Sequence, residues 1–65
     1  MNIDPSLKSF LEQWWAGIVP SMPYENKVSL LQMGAFCLWG GMNGHLAESE
    51  IQTQTALWLE HVHSM

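Results

Sequence analysis

The side chains able to do chemistry are few, and their spacing suits little of it. Cys37, His45, Glu60, His61 and His63 are the candidate metal ligands. A helix presents neighbouring donors at i, i+3 or i+4. His61 and His63 are two apart, so on a helix they point roughly 200° away from each other. No CxxC or HExxH pattern accompanies them. They read as solvated histidines of a last helical turn, favourable there when protonated. No metal or other cofactor is expected. The one thiol, Cys37, lies within AFCLW, and a cysteine buried in apolar company is usually inert. Pairing it with His45 would require an accident of folding. Ser21 and Ser29 lack the GxSxG setting of an activated serine. Glu48 and Glu50 are poorly placed as a carboxylate pair, and a turn separates Glu12 from Glu25. The run GGMNG lacks the spacing and lysine of a phosphate-binding loop. A chain of 65 residues also leaves little room for a closed pocket of roughly 300 Å³ or more. A non-enzymatic protein is the expectation.

Charge removes a second class. Two lysines, Lys8 and Lys27, and no arginine oppose six acids, for a formal net charge of −4. Nucleic-acid affinity comes from Lys and Arg neutralising phosphates, and the region after Lys27 contains neither, which argues against a helix-turn-helix reader. No nucleic-acid partner is expected. A membrane span needs roughly 20 mostly apolar residues. The uncharged interval 28–47 has that length but contains Ser29, Gln32, Asn43, His45 and four glycines, so a membrane-associated peptide ranks low. The start of the chain carries Asp4 and no basic stretch before an apolar run, and a single cysteine fits a reducing compartment. The expected location is cytoplasmic.

The elements that must position these groups are helical. Residues 28–42 read VSLLQMGAFCLWGGM. At about 100° per residue, Val28, Leu31, Ala35, Leu38, Trp39 and Met42 fall on one stripe. Leu30, Met33 and Cys37 fall on a second, nearly opposite, and Phe36 lies off both. A surface helix of a small domain carries one apolar stripe. Two stripes predict a central helix covered on both sides, or one that is half core and half interface. Ahead of it, Asp4-Pro5 starts a first helix by capping free amides and placing Pro at the first position. Its core stripe is Leu7, Leu11, Trp14 and Ile18, with Phe10 beside it and Trp15 at the edge as a candidate exposed aromatic. Gly17, Pro20 and Pro23 break the chain. Ser21 is a candidate cap for the second helix, and Glu25 suits its N-terminus. Gly40-Gly41 should end that helix, since Gly costs about 1 kcal/mol against Ala inside one. Asn43-Gly44 readily takes positive φ. Gly34 reads as a packing glycine. In the third helix Ile51, Thr55, Trp58 and Val62 form the inner face, extended by Leu59. Gln52, Thr53, Gln54 and Glu60 should face out, with Leu57 alone among polar neighbours.

The resulting expectation is an all-α single domain over residues 1–65, with three helices at about 5–18, 23–40 and 47–63 and the second one central. So short a chain is marginal alone, and one cysteine excludes an internal disulfide. Oligomerisation is the remaining device, so a homodimer is expected. Four tryptophans and five methionines are an excess typical of binding surfaces. The expected function is modulation of another protein, as an inhibitor, anti-activator or adaptor of the kind that phages also encode. The candidate interface residues are Leu30, Met33, Phe36, Cys37, Trp15 and Leu57. The alternative is a small structural subunit of a larger assembly.

Overall fold

The computed structural model describes residues 3–18, 20–42 and 44–63, with residue 63 described for its backbone alone. They form three helices and, among the described residues, no strand. Helix α1 spans Pro5–Ala16. Helix α2 begins at Tyr24–Met33, widens into a π-helical segment at Gly34–Trp39 and closes with an α-turn at Gly40–Met42. Helix α3 spans Glu48–His63. The all-α expectation holds, with α2 between its neighbours, and its π segment touches both α1 and α3.

Several boundaries and facings differ from the sequence reading. Helix α1 stops at Ala16, and Ile18 lies in the following turn. Ser21 is exposed in that turn and caps nothing; Pro23 occupies the cap position of α2 without a side-chain bond. Gly40 and Gly41 continue the helix rather than ending it. At Gly40 a Cβ would stand 3.1 Å from the Ile51 Cδ1, so its small size lets α3 approach. Gly44 does not adopt positive φ, and Asn43 lies outside the described residues.

The core is Leu7 and Leu11 from α1, Leu31, Ala35 and Trp39 from α2, and Ile51 and Trp58 from α3. On α2 Leu31, Ala35 and Trp39 of the expected stripe are buried, but the rest of it is not. There Leu38 and Met42 should align with Leu31; instead they are 45% and 77% exposed. The cause is the π segment, in which the Gly40 amide donates five residues back to the Ala35 carbonyl. Each residue then turns the chain by less than the roughly 100° of an α-helix. Over six residues the deficit brings Trp39 onto the line of Leu31 and Ala35 and swings Leu38 outward. The accessible surface, 4280 Å², is close to the ~4,200 Å² expected of a self-contained monomer of this mass. The large apolar groups left outside are therefore surplus to the monomer core.

A polar cluster ties the ends of the fold together. The Asp4 Oδ1 accepts from the Ser6 and Leu7 amides at 2.9 and 3.2 Å, capping α1. Its own amide donates to the Gln54 Oε1 at 2.8 Å. The His45 Nε2 contacts Asp4 Oδ2 at 3.0 Å, and the His45 ring meets Trp39 edge-on. The Trp39 Nε1 donates to the Ser6 Oγ at 3.2 Å. Gln54, expected to face out, is buried because it satisfies the amide that precedes α1. Asp4 is held below its usual 3.8, first by the His45 hydrogen bond and then by the Leu7 amide; desolvation opposes them, and the Ser6 amide and the charge of His45 add smaller lowering effects.

Two outcomes follow. A folded-state value below the unfolded one gives stability that is present above about pH 4 and lost as the pH falls through the lower value. Urea midpoints measured against pH should fall through that acid window in the natural chain and run flatter there in Asp4→Asn, which should also be the less stable variant at pH 7. The buried Thr55 Oγ1 has no hydrogen-bond partner. Thr55→Val should therefore stabilise the chain by about 1 kcal/mol, raising the melting temperature by roughly 4–8 °C in calorimetry.

Candidate functional site

The site is built around Trp14. On α1 this residue follows Leu7 and Leu11 on the inward side and is half-buried against the core. Its indole Nε1 donates to the Leu30 carbonyl at 3.0 Å, and Phe10 stacks on it with ring centroids 5.5 Å apart. The ring lies directly over Gly34. A Cβ built there would stand 2.6 Å from the Trp14 Cε2 and 2.7 Å from its Nε1, so only glycine permits the contact. The packing role expected of Gly34 is what the geometry shows.

On either side of this contact, α1 and α2 leave an apolar groove. One part, of about 320 Å³, is lined by Gln13, Trp14, Gly17, Ile18, Met22 and Leu30. The other, of about 220 Å³, is lined by Trp14, Leu30, Met33, Gly34, Cys37 and Leu38. Trp14 and Leu30 border both parts. Neither lining contains an acidic or basic side chain. Met33 is 59% exposed, and with Leu38 it forms a ridge along the groove. Tyr24, Met33, Leu38 and Met42 are the exposed large hydrophobics among the described residues, and all four lie on the second helix.

The residues singled out from sequence divide between two places. Leu30, Met33 and Cys37 come together at the groove. Cys37 is exposed, in keeping with its place on the second stripe, and not buried among apolar neighbours as AFCLW suggested. Phe36 is half-buried against the core and borders a separate depression of about 390 Å³ with Cys37, Gly40, Leu46, Glu48 and Ile51. Trp15 is not an exposed aromatic. It packs edge-on to Tyr24 and Trp58, with the Lys27 Nζ 5.7 Å from its ring centroid, and helps to seal the core on the far side of α1. Leu57 is half-buried on α3 and does not line the groove. Sequence reasoning missed Leu38, Ile18 and Met22 as groove residues. Nothing in a 100° periodicity signals Leu38, because its outward turn exists only with the π segment.

Apart from Cys37, no candidate ligand or base among the described residues lines the groove. His45 is engaged with Asp4 and Trp39. His61 is exposed on α3, and the His63 side chain lies outside the described residues. Among the described residues, no group of three or more His, Cys, Asp or Glu stands close enough to hold a metal ion. No helix among them is long and apolar enough to cross a membrane. What the arrangement offers is an uncharged apolar groove with a thiol at its edge, suited to burying another apolar surface.

Gly34→Ala tests the contact that forms this groove. The added methyl must displace the indole, an overpacking cost of roughly 1–3 kcal/mol. The expected result is a lower denaturation midpoint, together with a change in the tryptophan near-ultraviolet circular dichroism. The sequence matches no known family model, and the chain matches neither a curated protein nor a solved structure.

Proposed function

We propose that this chain is a non-enzymatic interaction protein that binds another protein through the α1–α2 groove and thereby modulates that protein's activity or assembly. The observation that carries this reading is the placement of Met33, Cys37 and Leu38. These exposed side chains border an uncharged groove on a chain whose core is already closed without them. Contiguous exposed apolar surface on a small domain marks an interaction site, and methionine suits an adaptable one. The π segment supports the same location, since such turns are rare and are found mostly at functional sites. An inhibitor, anti-activator or adaptor acts in this way, needing a surface and no catalytic group.

The groove also restricts the partner's chemistry. A charged side chain entering it would lose water without gaining an ion pair, a cost of several kcal/mol. The partner should therefore present an apolar ridge, as an amphipathic helix does with residues at i, i+3 or i+4 and i+7. A role as a structural subunit would use the same face and differ in one measurable respect: the chain would be strongly stabilised by its mate and poorly stable alone.

The test is affinity capture from host lysate with four baits: the natural chain, Met33→Glu, Leu38→Glu and a distant surface variant, Glu60→Gln. One protein should be retained in stoichiometric amount by the natural chain and Glu60→Gln and lost with both groove variants, with helicity unchanged. Equal capture by all four baits would place binding elsewhere and defeat the reading.

A further inference from the structure

We propose that a second copy of this chain occupies the groove, in a two-fold dimer where the Met33–Leu38 ridge of each copy lies in the Trp14–Gly34 groove of the other. This deepens the protein-binding reading and rests on it for the location of the face. The first support is self-complementarity. A two-fold contact requires one patch to carry both a projection and a matching recess. Here they are adjacent: Met33 and Leu38 project, and Trp14, Leu30 and Gly34 floor the recess beside them.

The second support is charge. Two chains of net charge −4 repel each other, so a stable contact between them must fall where charge is absent. The groove is such a place. Its α1 side carries Gln13, Trp14 and Gly17, while Lys8 and Glu12 fall on the other side of that helix at about 100° per residue. On α2 no charged residue occurs from Val28 to Met42. A face without charge does not select a basic or acidic partner, and its own copy is as uncharged as it is.

The third support is size. A stable interface buries ~800 Å² on each partner, about a fifth of this chain's 4280 Å². The run 24–42 is ~28 Å long at about 1.5 Å per residue, and a face two helices wide spans ~20–24 Å. Its planar area approaches the required value before side-chain relief is counted. Cys37 lines the same recess as Met33 and Leu38, so a two-fold contact through those side chains brings the two thiols to one interface. Partner capture and self-association then compete for one surface, and partner affinity falls as the chain's own concentration rises.

The test uses the purified full chain alone, which separates this inference from the search for a partner. Sedimentation velocity across a dilution series should show a dimer that dissociates to monomer. Met33→Glu and Leu38→Glu should each weaken association by about 100-fold with unchanged far-ultraviolet circular dichroism, while Glu60→Gln should not. A short bis-maleimide should join two natural chains through Cys37 and fail to do so in Leu38→Glu. The cross-link in the natural chain needs no variant, so it decides the point even if one substitution unfolds the protein. A natural chain that is monomeric at millimolar concentration with full helicity would overturn the inference. So would a dimer indifferent to both groove variants and not joined at Cys37. A monomer that still captures a host protein through the groove would overturn self-association and leave the proposed function standing; a groove-sealed dimer that captures nothing would do the reverse.

Discussion

The Trp14 indole occupies the space that any side chain at position 34 would need. This constraint sets the rest of α2. The glycine lets the ring lie against the helix backbone, and the Nε1 hydrogen bond to the Leu30 carbonyl fixes it there. The wide turns begin at this same residue. From that point the helix rotates more slowly than an α-helix, so the identity of the buried side chains changes along one continuous element. Trp39 is carried inward to meet Ile51 and Trp58 in the core, and Leu38 and Met42 are carried outward. The close contact between a large ring and an absent side chain thus lies where the segment begins that carries Trp39 into the core and Leu38 to the surface.

The other end of the fold depends on polar rather than apolar contacts. Asp4 caps α1 with one carboxylate oxygen, meets His45 with the other and gives its amide to Gln54 on α3. Trp39 joins this cluster through Ser6 and the His45 ring. The turn preceding α3, the start of α1 and the end of the π segment are therefore held by a connected set of hydrogen bonds, each modest by itself. The arrangement suits a domain too small to rely on hydrophobic burial alone. His45, which might have been read as a ligand or a base, is thereby occupied structurally.

These two anchors leave the α1–α2 face with little structural work to do. Its groove is uncharged, its ridge is formed by flexible side chains, and its one reactive atom is a thiol at the margin. The use proposed for this face is recognition, by a partner or by a second copy.

The sequence by itself determined the helical class, the approximate extents of the three helices, and most of the core. Asp4-Pro5 and Gly17 with Pro20 and Pro23 mark boundaries by local stereochemistry, which acts within a few residues, whereas Gly40-Gly41 did not end the second helix. Leu7, Leu11, Leu31, Ala35, Ile51 and Trp58 follow from a period of about 3.6. The uncharged interval from Val28 to Ala47 and the surplus of apolar side chains were equally legible, and they led to Leu30, Met33 and Cys37. Only the tertiary structure decided that Leu38 and Met42 leave the stripe they share with Trp39, that Trp15 is packed against Trp58 and Tyr24, and that Gln54 is buried. The physical reason is common to all of these. Each depends on a partner distant in the chain: Trp14 on Gly34, Trp58 on Trp15, the Asp4 amide on Gln54. Helical periodicity assumes one rotation per residue throughout, and a long-range contact that changes that rotation is invisible to it.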